Sequence, residues 1–430
     1  MVEVADDRHF VNPWTAQNPD IVTVTDAWKQ SLADNIFKLE ATLSENLDNL
    51  SSSDISMYTG LSGIGLLYHR FSSIDPRYVS EAKRTHFASI AHRITRRCLR
   101  HTDLDRLQRN VSVFTSSIGP LCLGALITEC SYDEKVAIPP QSCVDQIVEA
   151  SRFASNLKYT MPDEALYGRT GYLNALLLLR NTQWSVPIDV ISKVAEAILQ
   201  SGIQTAEKYR TSGIYKSLMR RQKSPLDMPP LMYEWHEKAY LGAAHGFAGI
   251  LLTLLRVHQM NPEALKHDSL QKLVLPTIHW LAELQLTSGN WPSSLGDSMD
   301  RDVLVHWCHG ATGVVPLMLA AYEVTQDDFY LKRAIRGGET IWTRGLLYKG
   351  CGLCHGSAGS GYALAALHHV TGDNKYLYRA AKYAEWCTDC FKNRTRTADR
   401  PYSLFEGLAG TLYFLVEMLD PLHARFPLLR

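Results

Sequence analysis

Seven stretches of this chain repeat one spacing, two glycines three residues apart with an apolar run directly behind them. They fall at residues 58–66, 115–121, 167–173, 245–251, 307–313, 352–359 and 405–412. The copies lie roughly 46 to 78 residues apart, a period that suits one helical hairpin per repeat. The second copy is imperfect, with Ser116 where the others have their first glycine. In each copy the glycines permit a tight entry, and a run such as residues 250–255 then reads as an apolar helix. Between copies lie amphipathic segments such as residues 376–384, suited to an outer helix. Helical spacing also marks Trp28, Leu32, Ile36 and Leu39, while strand-like alternation is scarce. The repeat therefore predicts an all-α chain of stacked hairpins. About seven glycine loops on one side favour closure into an α/α barrel over an open solenoid. On this plan residues 1–430 form one domain, with residues 1–23 as an N-terminal arm, and the loops ring one end.

Composition narrows the function classes. Lysine plus arginine equals aspartate plus glutamate at 44 each, so nothing electrostatic points to nucleic acid or an anionic membrane. A stretch without formal charge, residues 239–255, falls short of the ~20 residues a spanning helix needs and reads as a buried helix. The first residues lack the features of a signal peptide, and nine cysteines on a long chain argue against a disulfide framework. A cytoplasmic protein is expected. Residues 210–230, with Lys216, Arg220, Arg221 and Lys223, read as an exposed insertion. Residues 392–400 form a second basic loop, just before the last glycine copy.

Two copies carry metal-binding chemistry. Cys308, His309, Cys354 and His355 offer four ligands, and a mixed sulfur and nitrogen set most often holds Zn²⁺. Three protein ligands would leave one position open, as in catalytic sites; Cys308, Cys354 and His355 are the set expected here, with His309 left open by spacing. A rival pairs Cys351 and Cys354 with Cys387 and Cys390, which leaves Cys308 without a role. Zinc with two thiolates and an open position suits activation of an external thiol. His245 holds the place in its copy that His309 and His355 hold in theirs, so it should face the same end of the barrel as a general acid or base. Lys349, Arg169 and Arg396 lie near glycine loops and are candidate anion-binding groups.

With residues 242–246, 307–310, 352–356 and 403–407 in order, the chain closely resembles the eukaryotic LanC-like proteins, from Arg8 to residues 424–427. The resemblance implies an α/α toroid of seven inner and seven outer helices, zinc on Cys308, Cys354 and His355, and His245 as an active-site histidine. It further implies that glutathione is the co-substrate, added to dehydroalanine or dehydrobutyrine left in proteins when phosphorylated serine or threonine undergoes elimination. Lys349 and Arg396 match positions linked to glutathione or phosphate recognition, and Arg8 matches an arginine that reaches the same pocket. Glu164 stands where bacterial members carry an aspartate. Zinc-bearing α/α barrels also serve protein prenylation, but that chemistry would need an aspartate ligand and a partner subunit. The remaining alternative is a glutathione- and zinc-binding adaptor that regulates a kinase or another signalling protein without turnover.

Overall fold

In the computed structural model, residues 8–15, 24–127, 139–222, 225–297, 301–393 and 395–429 are described. Within each glycine copy a helix begins, one or two residues after the position of the first glycine of the pair. The seven helices so launched are Leu61–Ser72, Ile118–Leu126, Arg169–Arg180, Phe247–Met260, Ala311–Thr325, Ser357–Thr371 and Leu408–Glu417. In five of them the first N–H is satisfied by a carbonyl of the loop itself, while Ile118 donates to Ser116 Oγ at 3.2 Å and Ala311 to Asn290 Oδ1 at 2.8 Å. Leu61 donates to the Asp54 carbonyl at 3.0 Å, Phe247 to Tyr240 at 3.0 Å, Ser357 to Gly350 at 3.1 Å and Leu408 to Pro401 at 2.7 Å. The loop can double back this closely only past a glycine: a Cβ on Gly246 would overlap the Tyr240 carbonyl. At Gly310 the backbone also takes φ +104°, which disfavours any side chain. The glycine period in the sequence is thus the imprint of a backbone capping device.

These seven helices form the inner layer. Each packs on the next, and Leu408–Glu417 packs back on Leu61–Ser72, so the ring closes. Because they are enclosed, their apolar residues run around most of the circumference; in Phe247–Met260 every residue from Phe247 to Leu255 is buried. The outer layer comprises Asp26–Ser44, Glu81–Leu99, Pro140–Glu149, Ile188–Thr211, Leu275–Glu283, Asp328–Arg344 and Asn374–Thr388. These carry one apolar stripe each, as in Asn374–Thr388, which buries Tyr376, Ala380, Tyr383 and Ala384. Asp26–Ser44, the first outer helix, packs on the last inner one. The result is the expected all-α toroid, with isolated bridges but no strand among the described residues.

A second set of hydrogen bonds joins the loops to one another. Tyr58 N–H donates to Phe114, Val113 to Gly171, Ala165 to Ala244, Ala243 to Trp307, Cys308 to Cys354, Cys354 to Phe405, and Phe405 back to Tyr58, at 2.8 to 3.3 Å. The seven copies are therefore tied into a closed backbone circuit at one end of the barrel.

Several expectations need correction. Residues 239–255 are not one buried helix: the helix starts at Phe247, and the residues before it form the glycine loop. No helix is long and apolar enough to cross a membrane among the described residues. Within residues 210–230, Ile214–Gln222 is a short helix whose Tyr215, Met219 and Gln222 are buried, so this insertion is partly built into the fold. Residues 223–224 lie outside the described residues, as do residues 1–7 and 16–23 of the expected arm. Residues 8–12 lie along the segment before the sixth loop: Phe10 N–H donates to Leu346 at 2.8 Å, Tyr348 N–H to Arg8 at 2.8 Å, and Asn12 Nδ2 to Trp342 at 2.6 Å.

Arg169 is not an anion-binding group. Its guanidinium is buried and spent on the carbonyls of Ala154, Met161 and Tyr159 and on the Asp163 carboxylate at 3.0 Å. Burial pushes the Asp163 carboxyl up to about 6 against the pull of Arg169. That value lies above the ordinary carboxylate range, so the folded chain holds this proton more tightly than the unfolded one, and acidification through pH 6 favours the fold here. Arg169→Met should cost about 3–5 kcal/mol at neutral pH by stranding a buried charge. The cost should shrink at pH 5, where the carboxyl takes up a proton. Urea unfolding at both pH values checks this.

Candidate active site

The loop circuit brings the two Cys-His-Gly copies side by side. The ligand atoms of Cys308, Cys354 and His355 all lie within 4.8 Å of one another, the only such His/Cys/Asp/Glu group among the described residues. Their spacing is set by backbone, since the Cys308 N–H donates to the Cys354 carbonyl at 3.2 Å. Cys354 is buried, and its thiol is pushed well above the ordinary range by burial and by the neighbouring Cys308 thiol. Burial works against protonation of His355, but the Cys354 thiol beside it raises its pKa. Two thiols and an imidazole converging in low dielectric cannot ionise together without a cation, and this donor set fits zinc with one position open. The rival four-cysteine set is not assembled. Cys351 hydrogen-bonds to Cys387 with Cys390 close by, whereas Cys354 turns away to Cys308.

His309 does not join the three ligands. Its ring lies 5.4 Å from that of Tyr240 and 6.3 Å from that of His245. Burial, with the nearby imidazoles of His245 and His306 and the Lys349 ammonium, holds it down to about 4. His306 sits on the metal side, its Nδ1 3.9 Å from Cys308 Sγ. Burial, with the charges of Lys349, His355 and Arg8, takes it down to about 3, so it is neutral.

On the loop next to that of Cys308, His245 Nδ1 lies 2.8 Å from Glu164 Oε2. Glu164 is buried and also accepts the N–H groups of Leu166 at 2.8 Å and Tyr167 at 2.6 Å, which locks the carboxylate in place. Trp235 covers the face of the imidazole, with ring centroids 4.0 Å apart and planes within 2°. Its indole is presented by a tight turn, Trp235 and Lys238 exchanging backbone hydrogen bonds around His236 and Glu237, both at positive φ. Carboxylate and indole together fix one histidine orientation and leave Nε2 as the nitrogen available for proton transfer.

Residues 51–429 match the family described as Lanthionine synthetase C-like protein. The chain belongs to the lanthionine synthetase C-like family. It is 36% identical over 408 residues to the protein named Glutathione S-transferase LANCL1 from Danio rerio, a match covering 94% of this chain and 92% of that one. The solved structure of Nisin cyclase superposes with a TM-score of 0.64 at 16% identity, covering 90% of this chain and 94% of that one, which bears on the fold alone.

Within this LanC-like toroid the expected cations gather on one strip of backbone. Tyr348 N–H donates to the Arg8 carbonyl at 2.8 Å, the Arg396 N–H donates to Tyr348 at 2.7 Å, and Lys349 follows directly. Lys349 and Arg8 both act electrostatically on His306, which places them in the field of the metal group. The Arg396 side chain is turned to Asp399 at 3.2 Å and is largely exposed. Sequence reading missed Tyr58, His306, Trp235 and Tyr167. Tyr58 could have been found by register: it stands two residues before the first glycine of its copy, as Cys308 and Cys354 do in theirs, and its hydroxyl lies beside the Cys354 thiol. Trp235 stands outside every copy and carried no such signal.

Proposed function

We propose that this LanC-like protein adds the thiol of glutathione to dehydroalanine or dehydrobutyrine residues in proteins, forming a thioether. The convergence of Cys308, Cys354 and His355 within 4.8 Å, at the same barrel mouth as the Glu164–His245 pair, carries this reading. Zinc held by those three residues would keep an incoming thiol as the thiolate at neutral pH. Arg8, Lys349 and Arg396, strung beside the ligand loop, supply positive charge for the glutathione carboxylates; Arg396 would exchange Asp399 for the ligand. As the S–Cβ bond forms, the Cα=Cβ electron pair moves toward the acceptor carbonyl, and His245 delivers a proton to Cα from Nε2. The proton lost by the thiol balances the one delivered. Glu164 stabilises the charged imidazole and holds its tautomer, and Trp235 holds its plane. The test is to quantify bound zinc and incubate the protein with glutathione and a dehydroalanine peptide, following product mass. A peptide heavier by one glutathione is expected. If zinc and glutathione bind and no adduct forms on any acceptor, the addition reading fails and a regulatory adaptor replaces it.

A further inference from the structure

The chain does not stop when the last inner helix ends at Glu417. Residues 418–429 turn back across the foot of the barrel. Arg425 N–H donates to Glu417 Oε2 at 2.9 Å, its guanidinium reaches His369 Nδ1 at 2.8 Å, and the carbonyl of Pro421 lies 2.7 Å from His369 Nε2. The other Glu417 oxygen is 2.6 Å from Arg70 Nε, so three inner helices anchor this tail. From that anchor Phe426 enters the lumen. Its ring stacks on Trp307 at 5.3 Å and 17°, meets Tyr362 at 5.3 Å, and lies 6.0 Å from Phe405.

Two of those neighbours, Trp307 and Phe405, adjoin the residues of the Cys308–Cys354–His355 group. Trp307 immediately precedes Cys308. Phe405 accepts the Cys354 N–H at 2.8 Å and stacks on Tyr58 at 4.7 Å, and the Tyr58 hydroxyl lies beside the Cys354 thiol. Trp307 and Phe405 also touch each other, at 5.5 Å. An aromatic column therefore runs from the C-terminal tail to the underside of both thiol-bearing loops. Backbone hydrogen bonds hold those loops around their edge; of the aromatic rings packed on Trp307 among the described residues, Phe114 and Phe405 belong to the loop circuit and Phe426 comes from the tail.

We infer that Phe426 is a positioning residue for the metal group: the tail props Trp307 from below and so sets where Cys308 points. The inference rests on the proposed zinc site. Outer contacts that orient ligands typically govern metal affinity by 10–100-fold, and this one acts through packing rather than a hydrogen bond.

The experiment measures zinc affinity of the full chain by competition with a chromogenic chelator, beside Phe426→Ala and Phe426→Leu, with melting curves of the metal-free proteins. Leucine keeps the lumen apolar and filled but removes the flat face, so it guards against simple failure to fold. Both variants should lose about tenfold or more in zinc affinity while helix content is retained, with Phe426→Tyr restoring it. The cobalt-loaded variants should also show altered absorption from a displaced thiolate. Wild-type affinity in Phe426→Leu overturns the inference and leaves the zinc site standing. A wild-type chain that binds no zinc overturns both.

Discussion

Cys354→Ala is expected to empty the metal group and reduce glutathione addition by ~10³-fold. Part of that loss is thiolate supply, because a free thiol near pH 7 is only a few per cent ionised, and the rest is positioning of the nucleophile against the acceptor carbon. The substitution is well isolated from the fold. Both backbone groups of Cys354 belong to the loop circuit, the N–H donating to Phe405 and the carbonyl accepting from Cys308, and alanine preserves both. Removing the thiol also removes the group that raises the His355 pKa, so Cys308 and His355 lose the partner that makes them a ligand set. Metal analysis and adduct mass on the same preparation check the prediction. Retention of one zinc per chain by this variant would sink the assigned ligand set, whatever the activity.

His245→Ala should lower the rate of addition by about 10²–10⁴-fold, the usual worth of a positioned acid or base, with zinc content unchanged. His245 belongs to a different copy from the ligands, and its contacts run to Glu164, Tyr167, Trp235, Tyr240 and His309, none of them in the Cys308–Cys354–His355 group. Glu164→Gln should produce a smaller loss of kcat with little change in KM for glutathione. The amide still fills the space, but it cannot stabilise an imidazolium. Steady-state kinetics with a dehydroalanine peptide distinguish the two. If His245→Ala adds glutathione at the wild-type rate, protonation of Cα belongs to another group and His245 is only a wall of the pocket.

Much of this architecture is legible in the amino-acid sequence. The glycine spacing marks the places where loop carbonyls cap helices, so it located all seven inner helices and the end of the barrel that bears the site. Cys308, Cys354 and His355 were readable because that register recurs, and a recurring register on a ring implies convergence. Arg169 was misread because a guanidinium beside a glycine loop looks the same in sequence whether it faces solvent or three buried carbonyls. Trp235 was missed because it reaches His245 through a turn that depends on positive φ at His236 and Glu237, residues whose identity gives no hint of it. Phe426 carries no signal in the sequence, because stacking inside a lumen depends on where the chain returns after its last helix.

The closed circuit of loops also bears on the order in which the protein can be made. A ribosome that has released the sixth copy has already produced both thiols and the histidine, yet the Cys354 N–H still lacks Phe405, and Phe405 is what reaches back to Tyr58. Until the final segment emerges, the nascent chain is an open arc with the loop of Cys354 at its free edge. Ligand geometry is therefore a property of the finished circle rather than of the segments that contribute to it. A chain cut short by its last copy would keep every ligand and lose the site.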